Sequence, residues 1–273
     1  MFIASLNSGS NGNCYYVGNH HEAVLVDVGI SCREVERRMK RLSLNMAKVK
    51  AIFVSHEHSD HIKGIAVLSR KYSLPVYITP GTLQYAYLGL APEQVIYLEA
   101  FNDVQIGSLN VRTFPKLHDA NDPHSFVISC DGINVGIFTD LGDVCEQLTT
   151  HFKQCHAAFL EANYDEAMLS NGRYPWFLKN RISGGKGHLS NTKALQLFNN
   201  HRAAHLTHLL LAHLSKDNND PQLVQELFSQ HANGVHVTVA SRYEESQVFH
   251  ITGKLVVAEP LPNHPDQLQY ALF

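Results

Sequence analysis

The sequence predicts an α/β fold, on two observations. Short apolar runs bounded by turn residues alternate with amphipathic segments through both halves of the chain. A length of 273 residues, with 44% hydrophobic and 17% charged side chains, is enough to bury a full core and is common for one large α/β domain. A single domain over residues 1–273 is therefore expected, trailing from about 259 into an extended, proline-bearing tail.

Taken in order, Phe2 to Leu6 and Cys14 to Val17 read as strands around Ser8-Gly9-Ser10-Asn11-Gly12-Asn13. That loop either presents backbone N–H groups to an anion or is a plain hairpin turn. Ala23 to Val28 is a β-branched run carrying Asp27, and Ser31 to Glu34 has the S-x-x-E spacing of a capping box. Val35, Met39 and Leu42 form the apolar side of the following helix, and Arg33, Arg37, Arg38, Lys40 and Arg41 read as its solvated face. Lys50 to Val54 is a buried strand, Ile62 to Tyr72 a helix, Pro75 to Ile78 a strand and Thr82 to Leu88 a helix. Strands follow at Val95 to Leu98, Val104 to Ile106 and Leu109 to Phe114. Asp131-Gly132, between Ser125 to Ser129 and Ile133 to Thr139, is a hairpin signal, and its second strand leads into Asp140. Val144 to Phe152 reads as a helix and Ala157 to Ala162 as a strand bearing Glu161. The polar, glycine-bearing stretch 165–187 is long for a connection and reads as a functional excursion. A helix from Ser190 to Asn200 begins just beyond His188, the strand Leu206 to Ala212 delivers His213, and a helix (Pro221 to His231) and a strand (Val235 to Ala240) follow. No sequence repeat links the two halves.

Composition excludes several function classes. A formal net charge of -3 gives no global field toward nucleic acid or a membrane surface, so polyanion binding must come from a local patch. The N-terminus has no basic segment followed by an apolar core, and no window approaches the roughly 18 apolar residues of a spanning helix, so a soluble, cytoplasmic protein without a membrane partner is expected. The five cysteines form no C-x-x-C pair and are odd in number, which argues for reduced core residues. Histidine, at 18 copies, points to metal ligation.

Those histidines concentrate in Ser55-His56-Glu57-His58-Ser59-Asp60-His61, directly after a buried strand. One intervening residue sends His56 and His58 to the same side of an extended backbone, while the adjacent Asp60 and His61 need a turn to converge. A lone histidine after a strand is commonly just a satisfied polar residue. Four ligand-type residues in six positions are not, and two pairs on one loop suit two metal ions. Imidazole and carboxylate without thiolate suit zinc or manganese, with iron also admissible.

His56-Glu57-His58-Ser59-Asp60-His61 resembles the H-x-H-x-D-H signature of the metallo-β-lactamase superfamily, and Asp27, His118, Asp140 and His213 are similar to that family's further site residues. The resemblance implies an αββα sandwich, in which two mixed β-sheets pack face to face with helices on both outer sides. It implies one metal ion held by His56, His58 and His118, a second by Asp60, His61 and His213, Asp140 bridging the two, and Asp27 orienting the loop from behind. Asp60 and Asp140 without a cysteine ligand resemble the hydrolase and phosphodiesterase branches rather than true β-lactamases.

Further segments, Ser8 to Cys14, Glu161 to Asp165, Tyr174 to Lys179, Gly187 to Asn191 and His213 to Asn219, resemble the bacterial YycJ/WalJ-like exodeoxyribonucleases, described as acting from a 5′ end. By likeness to RNase Z, Glu161 and His188 are expected to assist proton transfer, joining Asp60 as catalytic residues. The implied activity is a 5′ to 3′ exodeoxyribonuclease with DNA preferred over RNA. Lys179, Arg181 and Trp176 could neutralise phosphates and stack a base, with Ser215, Lys216 and Asn218 as further phosphate contacts. The alternatives are an RNase Z-like ribonuclease or a small-molecule (thio)ester hydrolase and, from another class, a metal-stabilised binding or regulatory protein without turnover.

Overall fold

The computed structural model describes residues 1–253, and their strands form two seven-stranded sheets. The first places β1 (Phe2–Asn7), β2 (Cys14–Gly18), β3 (Ala23–Val26), β4 (Val49–Phe53), β5 (Val76–Ile78) and β6 (Val95–Tyr97) side by side in that order. The second does the same with β7 (Asp103–Ile106), β8 (Leu109–Pro115), β9 (His124–Cys130), β10 (Ile133–Phe138), β11 (Ala157–Glu161), β12 (His208–Ala212) and β13 (His236–Val239). A last strand, β14 (Phe249–His250), returns to pair with β1. The two sheets share one plan. From β14 through β1 and β2 to β3 the pairings are antiparallel, and from β3 to β6 they are parallel. From β7 to β10 they are again antiparallel, and from β10 to β13 parallel.

Side-chain alternation assigns each strand to two cores. Val24 and Val26 of β3 point into a central core with Phe53, Phe126, Ile128, Val135 and Phe159, drawn from both sheets. Ala23 and Leu25 point outward, toward Val35 and Met39 of α1 (Cys32–Arg41). The outer face of the second sheet is covered by α5 (Glu146–Phe152), α8 (Asn191–His201) and α9 (Pro221–Ser229), through Leu148, Phe198 and Phe228. Helix, sheet, sheet and helix are thus stacked in four layers, as the predicted αββα sandwich requires. Phe53 meets Phe126 edge-on across the sheets, ring centroids 5.8 Å apart, and removing either ring would cost about 3–5 kcal/mol.

Several local expectations change. The helix expected from Ile62 to Tyr72 begins three residues later, as α3 (Ile65–Tyr72), and a separate short helix α2 (Ser59–Ile62) precedes it, because the backbone between them passes close to the 27–30 segment. A Cβ at Gly64 would lie 2.0 Å from the Ile30 carbonyl oxygen, and one at Gly29 would lie 1.6 Å from that of Asp60. Only glycine fits either crossing. The basic face of α1 is not wholly solvated, since Arg38 is buried and donates to the carbonyls of Leu6 (2.7 Å) and Tyr243 (3.0 Å). Ser31 does cap α1 by accepting from the Glu34 amide at 3.3 Å, while the Glu34 carboxylate turns instead to Arg37. The remaining helices are α4 (Pro80–Ala86), α6 (Glu166–Asn171) and α7 (Trp176–Ser183). Four of the five cysteines are buried, Cys145 is half-buried, and all are free. The tail expected from about 259 lies outside the described residues.

Candidate metal centre

Strand ends at one pole of the two sheets supply the site. Asp27 follows β3, Ser55 to His61 follow β4, Asp140 follows β10, Glu161 closes β11 and His213 follows β12. The equivalent positions in the two halves, after β3 and after β10, both carry an aspartate. Asp27, Asp140 and His213 adopt left-handed backbone angles (φ 59, 54 and 57). Such angles cost a non-glycine residue of order 1–3 kcal/mol each, so the surrounding fold holds these turns in place.

The rings and carboxylates converge. His56 Nε2 lies 3.0 Å from His58 Nδ1, which lies 3.3 Å from His118 Nε2. His61 Nε2 is 3.6 Å from Asp60 Oδ2 and 3.2 Å from Asp140 Oδ2, and His213 Nε2 is 3.5 Å from Asp60 Oδ2. Two groups, His56 with His58 and His118, and Asp60 with His61 and His213, each bring their donor atoms within 4.8 Å of one another. Asp140 stands between them, 3.8 Å from His118 and 3.4 Å from His213. These are the residues the sequence nominated as ligands, and the fold gathers all seven.

Behind the cluster, the far nitrogen of each of four rings is occupied. His61 Nδ1 meets Asp27 Oδ2 at 2.7 Å, and Asp27 also accepts from the Ser55 amide and hydroxyl, both at 2.8 Å. His56 Nδ1 bonds the Ser55 hydroxyl at 2.9 Å, and His118 Nδ1 the Gly187 carbonyl at 2.8 Å. His213 Nδ1 meets Glu161 Oε1 at 2.9 Å, the same oxygen that takes His188 Nδ1 at 2.8 Å. Glu161 is fully buried, and its other oxygen accepts from the amides of Leu141 and Leu189. These bonds fix ring orientation and leave the opposite nitrogens turned inward.

The electrostatics split between the two groups. Burial pushes His56 well below its ordinary value, with His61 and Lys116 adding to it, and burial takes His118 down to about 4. Burial would also depress His213, but Asp140, Asp60 and Glu161 overcome it and raise His213 to about 10. His61 is raised in the same way by Asp140, Asp27 and Asp60. Burial opposes ionisation of Glu161, yet the charge and hydrogen bond of His188 and the bond from His213 bring it to about 2. The carboxylates therefore draw positive charge to this spot, which is the field a divalent cation would take up. His213 Nε2 is buried without a hydrogen-bond partner among the described residues, and Asp140 Oδ2 lacks one despite lying near His61. Inward-facing unsatisfied donor atoms of nitrogen and oxygen type fit divalent metal ions.

Beside the cluster is a cleft of about 200 Å³ lined by His188, Asn163, Tyr174, Leu178, Arg181 and Ser215, among others. Residues 165–187, expected as one polar excursion, contain α6 and α7, and α7 buries none of its residues. Trp176 and Phe177 are 77% and 69% exposed, so they are surface rather than core aromatics. Lys179 donates to the Ser170 carbonyl at 2.6 Å, and Arg181 pairs with Asp119. Lys216 is exposed and Ser215 half-buried. Asn218 is a correction. It is buried, its carbonyl accepts from the Asp165 amide and its own amide donates to Ser215, so it shapes the turn and cannot reach a phosphate.

The Gly/Asn loop turns most of its backbone amides inward. The amides of Ser8, Gly9, Gly12 and Asn13 are all bonded within the protein. The Asn13 side-chain amide instead reaches His61 Nε2 (3.0 Å) and Asp60 Oδ2 (3.3 Å). Ser55 and Lys116 were also missed from sequence. Lys116 lies buried behind the cluster with its ammonium on the Thr139 carbonyl at 2.7 Å, and burial lowers its pKa. Its position two residues before His118 was the available signal.

Comparison with known proteins decides the family. A family model described as a beta-lactamase superfamily domain matches residues 22–213, and the fold and histidine cluster are of the metallo type. The chain belongs to the metallo-β-lactamase superfamily. Within this hydrolase superfamily it is similar to a protein named exodeoxyribonuclease YycJ from Bacillus anthracis, 38% identical over 233 residues, 84% of this chain and 88% of the relative. It is also similar to exodeoxyribonuclease WalJ from Streptococcus pneumoniae serotype 2, 32% identical over 223 residues, 80% of this chain and 83% of the relative. Among solved structures, the metallo-β-lactamase fold protein YhfI from Bacillus subtilis superposes with a TM-score of 0.70 at 14% identity, covering 92% of this chain and 100% of that one. Human tRNase Z, short form, gives 0.62 at 18% identity, with 92% and 100% covered. The structural likenesses establish the shared fold.

Proposed function

We propose that this superfamily member is a 5′ to 3′ exodeoxyribonuclease that uses two divalent metal ions, zinc or manganese. The observation that carries the reading is the 38% identity over most of the chain to a protein named exodeoxyribonuclease, in a chain whose own strand ends gather a full set of candidate ligands. His56, His58 and His118 would hold one ion and Asp60, His61 and His213 the other, with Asp140 between them. The ions would supply Lewis-acid polarisation of a phosphate oxygen and lower the pKa of water.

The protein's own groups do the rest. Asp27, Ser55, Glu161 and the Gly187 carbonyl hold the ligand rings in one orientation. Asp60, whose pKa is lowered, sits on the first turn of α2, where it would be one of the residues holding the second ion. His188 gives Nδ1 to Glu161 and lines the cleft, which leaves Nε2 as the nitrogen available to deliver a proton to the leaving oxygen. Grip falls to α7 and its flanks, where Arg173, Lys179, Arg181 and Lys186 occur without an acidic residue between Glu166 and His188. This local patch offsets a chain that is acidic overall, and the exposed Trp176 offers a face for a base.

The test is to incubate metal-loaded protein with end-labelled single- and double-stranded DNA and RNA, beside an Asp60→Ala control. Mononucleotides released from the 5′ end of DNA, and absent in the control, are expected. Release from RNA alone, or from the 3′ end, overturns the proposal.

A further inference from the structure

Helix α7 is a ridge between two cavities. Leu178, Arg181 and Ile182 on one of its faces line the cleft beside His188. On the opposite face, Trp176, Lys179 and Asn180 line a groove of about 460 Å³, which Tyr164, Glu166 and Leu169 close from the side of α6. No residue lines both cavities, and none of the groove residues belongs to the metal cluster.

The groove suits a flat, neutral group better than an anion. Tyr164 and Leu169 are buried and form its apolar base, and the exposed Trp176 adds an indole face. Lys179, the one cation lining it among the described residues, donates to the Ser170 carbonyl at 2.6 Å. The Glu166 carboxylate, which accepts from the Thr192 hydroxyl at 2.9 Å, would repel a phosphate. Glu166 and the Asn180 amide instead carry the acceptors and donors that pair with the edge of a nucleobase. An apolar cavity of several hundred Å³ with a few polar groups is the usual form of a site for a small planar ligand. Across the ridge the preference reverses, because Arg181 lines the cleft.

We propose that this groove holds an unpaired nucleobase of the strand being degraded, stacked on Trp176, while the scissile phosphate lies in the cleft on the other side of α7. The proposal rests on the reading of the chain as a nuclease acting from a 5′ end. A helix is about 10 Å across with its side chains, so a strand laid over the ridge spends about two or three nucleotides in crossing it. In an enzyme that removes one nucleotide at a time from the 5′ end, a single nucleotide precedes the scissile bond. The base in the groove is therefore on the 3′ side of that bond. A base buried among Tyr164, Leu169 and Trp176 cannot keep its partner in a duplex, so a double-stranded end must open by those nucleotides before it is cut. Stacking on an indole accepts every base, as degradation of any sequence requires.

The experiment moves one abasic site along a single-stranded DNA, a nucleotide at a time from the 5′ end, and measures kcat/KM for each strand with metal-loaded protein. The wild type is expected to lose roughly tenfold at one internal position, the scale of one base stacked on an aromatic ring. That dip should vanish in Trp176→Ala and persist in Trp176→Phe, which keeps a ring to stack on. Because the readout is a profile within one protein, a general loss of folding does not imitate it, and the exposure of Trp176 makes both variants structurally mild. A second readout needs no turnover. Trp176 is the only tryptophan in the chain, so its fluorescence in the His188→Ala protein reports this groove alone. The intact strand should quench it, and the strand abasic at the sensitive position should not. Cutting from the 5′ end with a flat abasic profile, a profile unchanged in Trp176→Ala, or equal quenching by both strands overturns the groove and leaves the nuclease reading standing. Position-dependent quenching in a protein that cuts no strand retains the groove and removes the nuclease reading.

Discussion

Two walls of the molecule near the site, the strand-end cluster and α7, follow opposite construction rules. On one, His56, His61, His118 and His213 sit buried at strand ends, each with its far nitrogen already bonded. On the other, α7 buries no residue and exposes Trp176, Phe177 and Arg181, with Lys179 half-buried. Metal chemistry needs donor atoms placed to a fraction of an ångström, which only rigid strands backed by a second layer of hydrogen bonds can supply. Holding a polyanion needs charge and flat faces within reach, and these tolerate displacement. Substitutions on the first wall should therefore act on metal content and turnover, and those on the second on affinity and salt dependence.

The largest effect is expected from Asp140→Ala, which removes the carboxylate between both donor groups. Metal content by elemental analysis should fall and DNA hydrolysis drop by more than the ~10–100-fold typical of changing a residue that only orients a ligand. A variant that keeps both metal and activity would break the proposed ligand set. His188→Ala comes next, with kcat down about 10²–10⁴-fold and metal content retained, as removal of a proton donor requires. Loss of metal in that variant would make His188 structural instead. Asp27→Ala should weaken metal affinity by about 10–100-fold, measured by competition with a chromogenic chelator, because His61 loses the partner that fixes its ring.

How much of this the sequence carried depends on the distance over which each feature is encoded. The loop from His56 to His61 is local, so its spacing alone announces metal chemistry. His118, Asp140 and His213 come from separate strand ends, and family resemblance rather than periodicity linked them. The four layers were likewise legible only through that resemblance, whereas the Asp131-Gly132 hairpin needed nothing beyond turn chemistry. What stayed hidden was long-range. The crossing of residues 27–30 over 60–64 moves the start of the helix from the expected Ile62 to Ile65. Arg38 looks like a surface cation until Leu6 and Tyr243, 32 and 205 residues away, supply carbonyls for it. Asn13 shows the same limit, since a turn-forming sequence gives no sign that its side chain will reach Asp60 and His61. Glu161 was anticipated as a partner of His188, but its equal bond to His213 depends on the parallel pairing of β11 with β12.

The smallest expected effect sharpens the contrast most directly. Removing one cation that neutralises a phosphate should make the slope of log K against log[salt] shallower by about one unit, or somewhat less for single-stranded DNA. Lys179 and Arg181 should not contribute equally. Lys179 gives one hydrogen bond to the Ser170 carbonyl and keeps its whole charge, while Arg181 shares its charge with Asp119. An exposed pair of that kind is worth only about 0–1 kcal/mol, so a phosphate can displace Asp119, but Arg181 then yields less net gain than Lys179. Binding titrations with single-stranded DNA over a range of salt should show the slope falling more for Lys179→Ala than for Arg181→Ala, and most for the double variant. An unchanged slope in the double variant would place the strand away from α7 and leave the strand-end wall to bind its substrate by other cations.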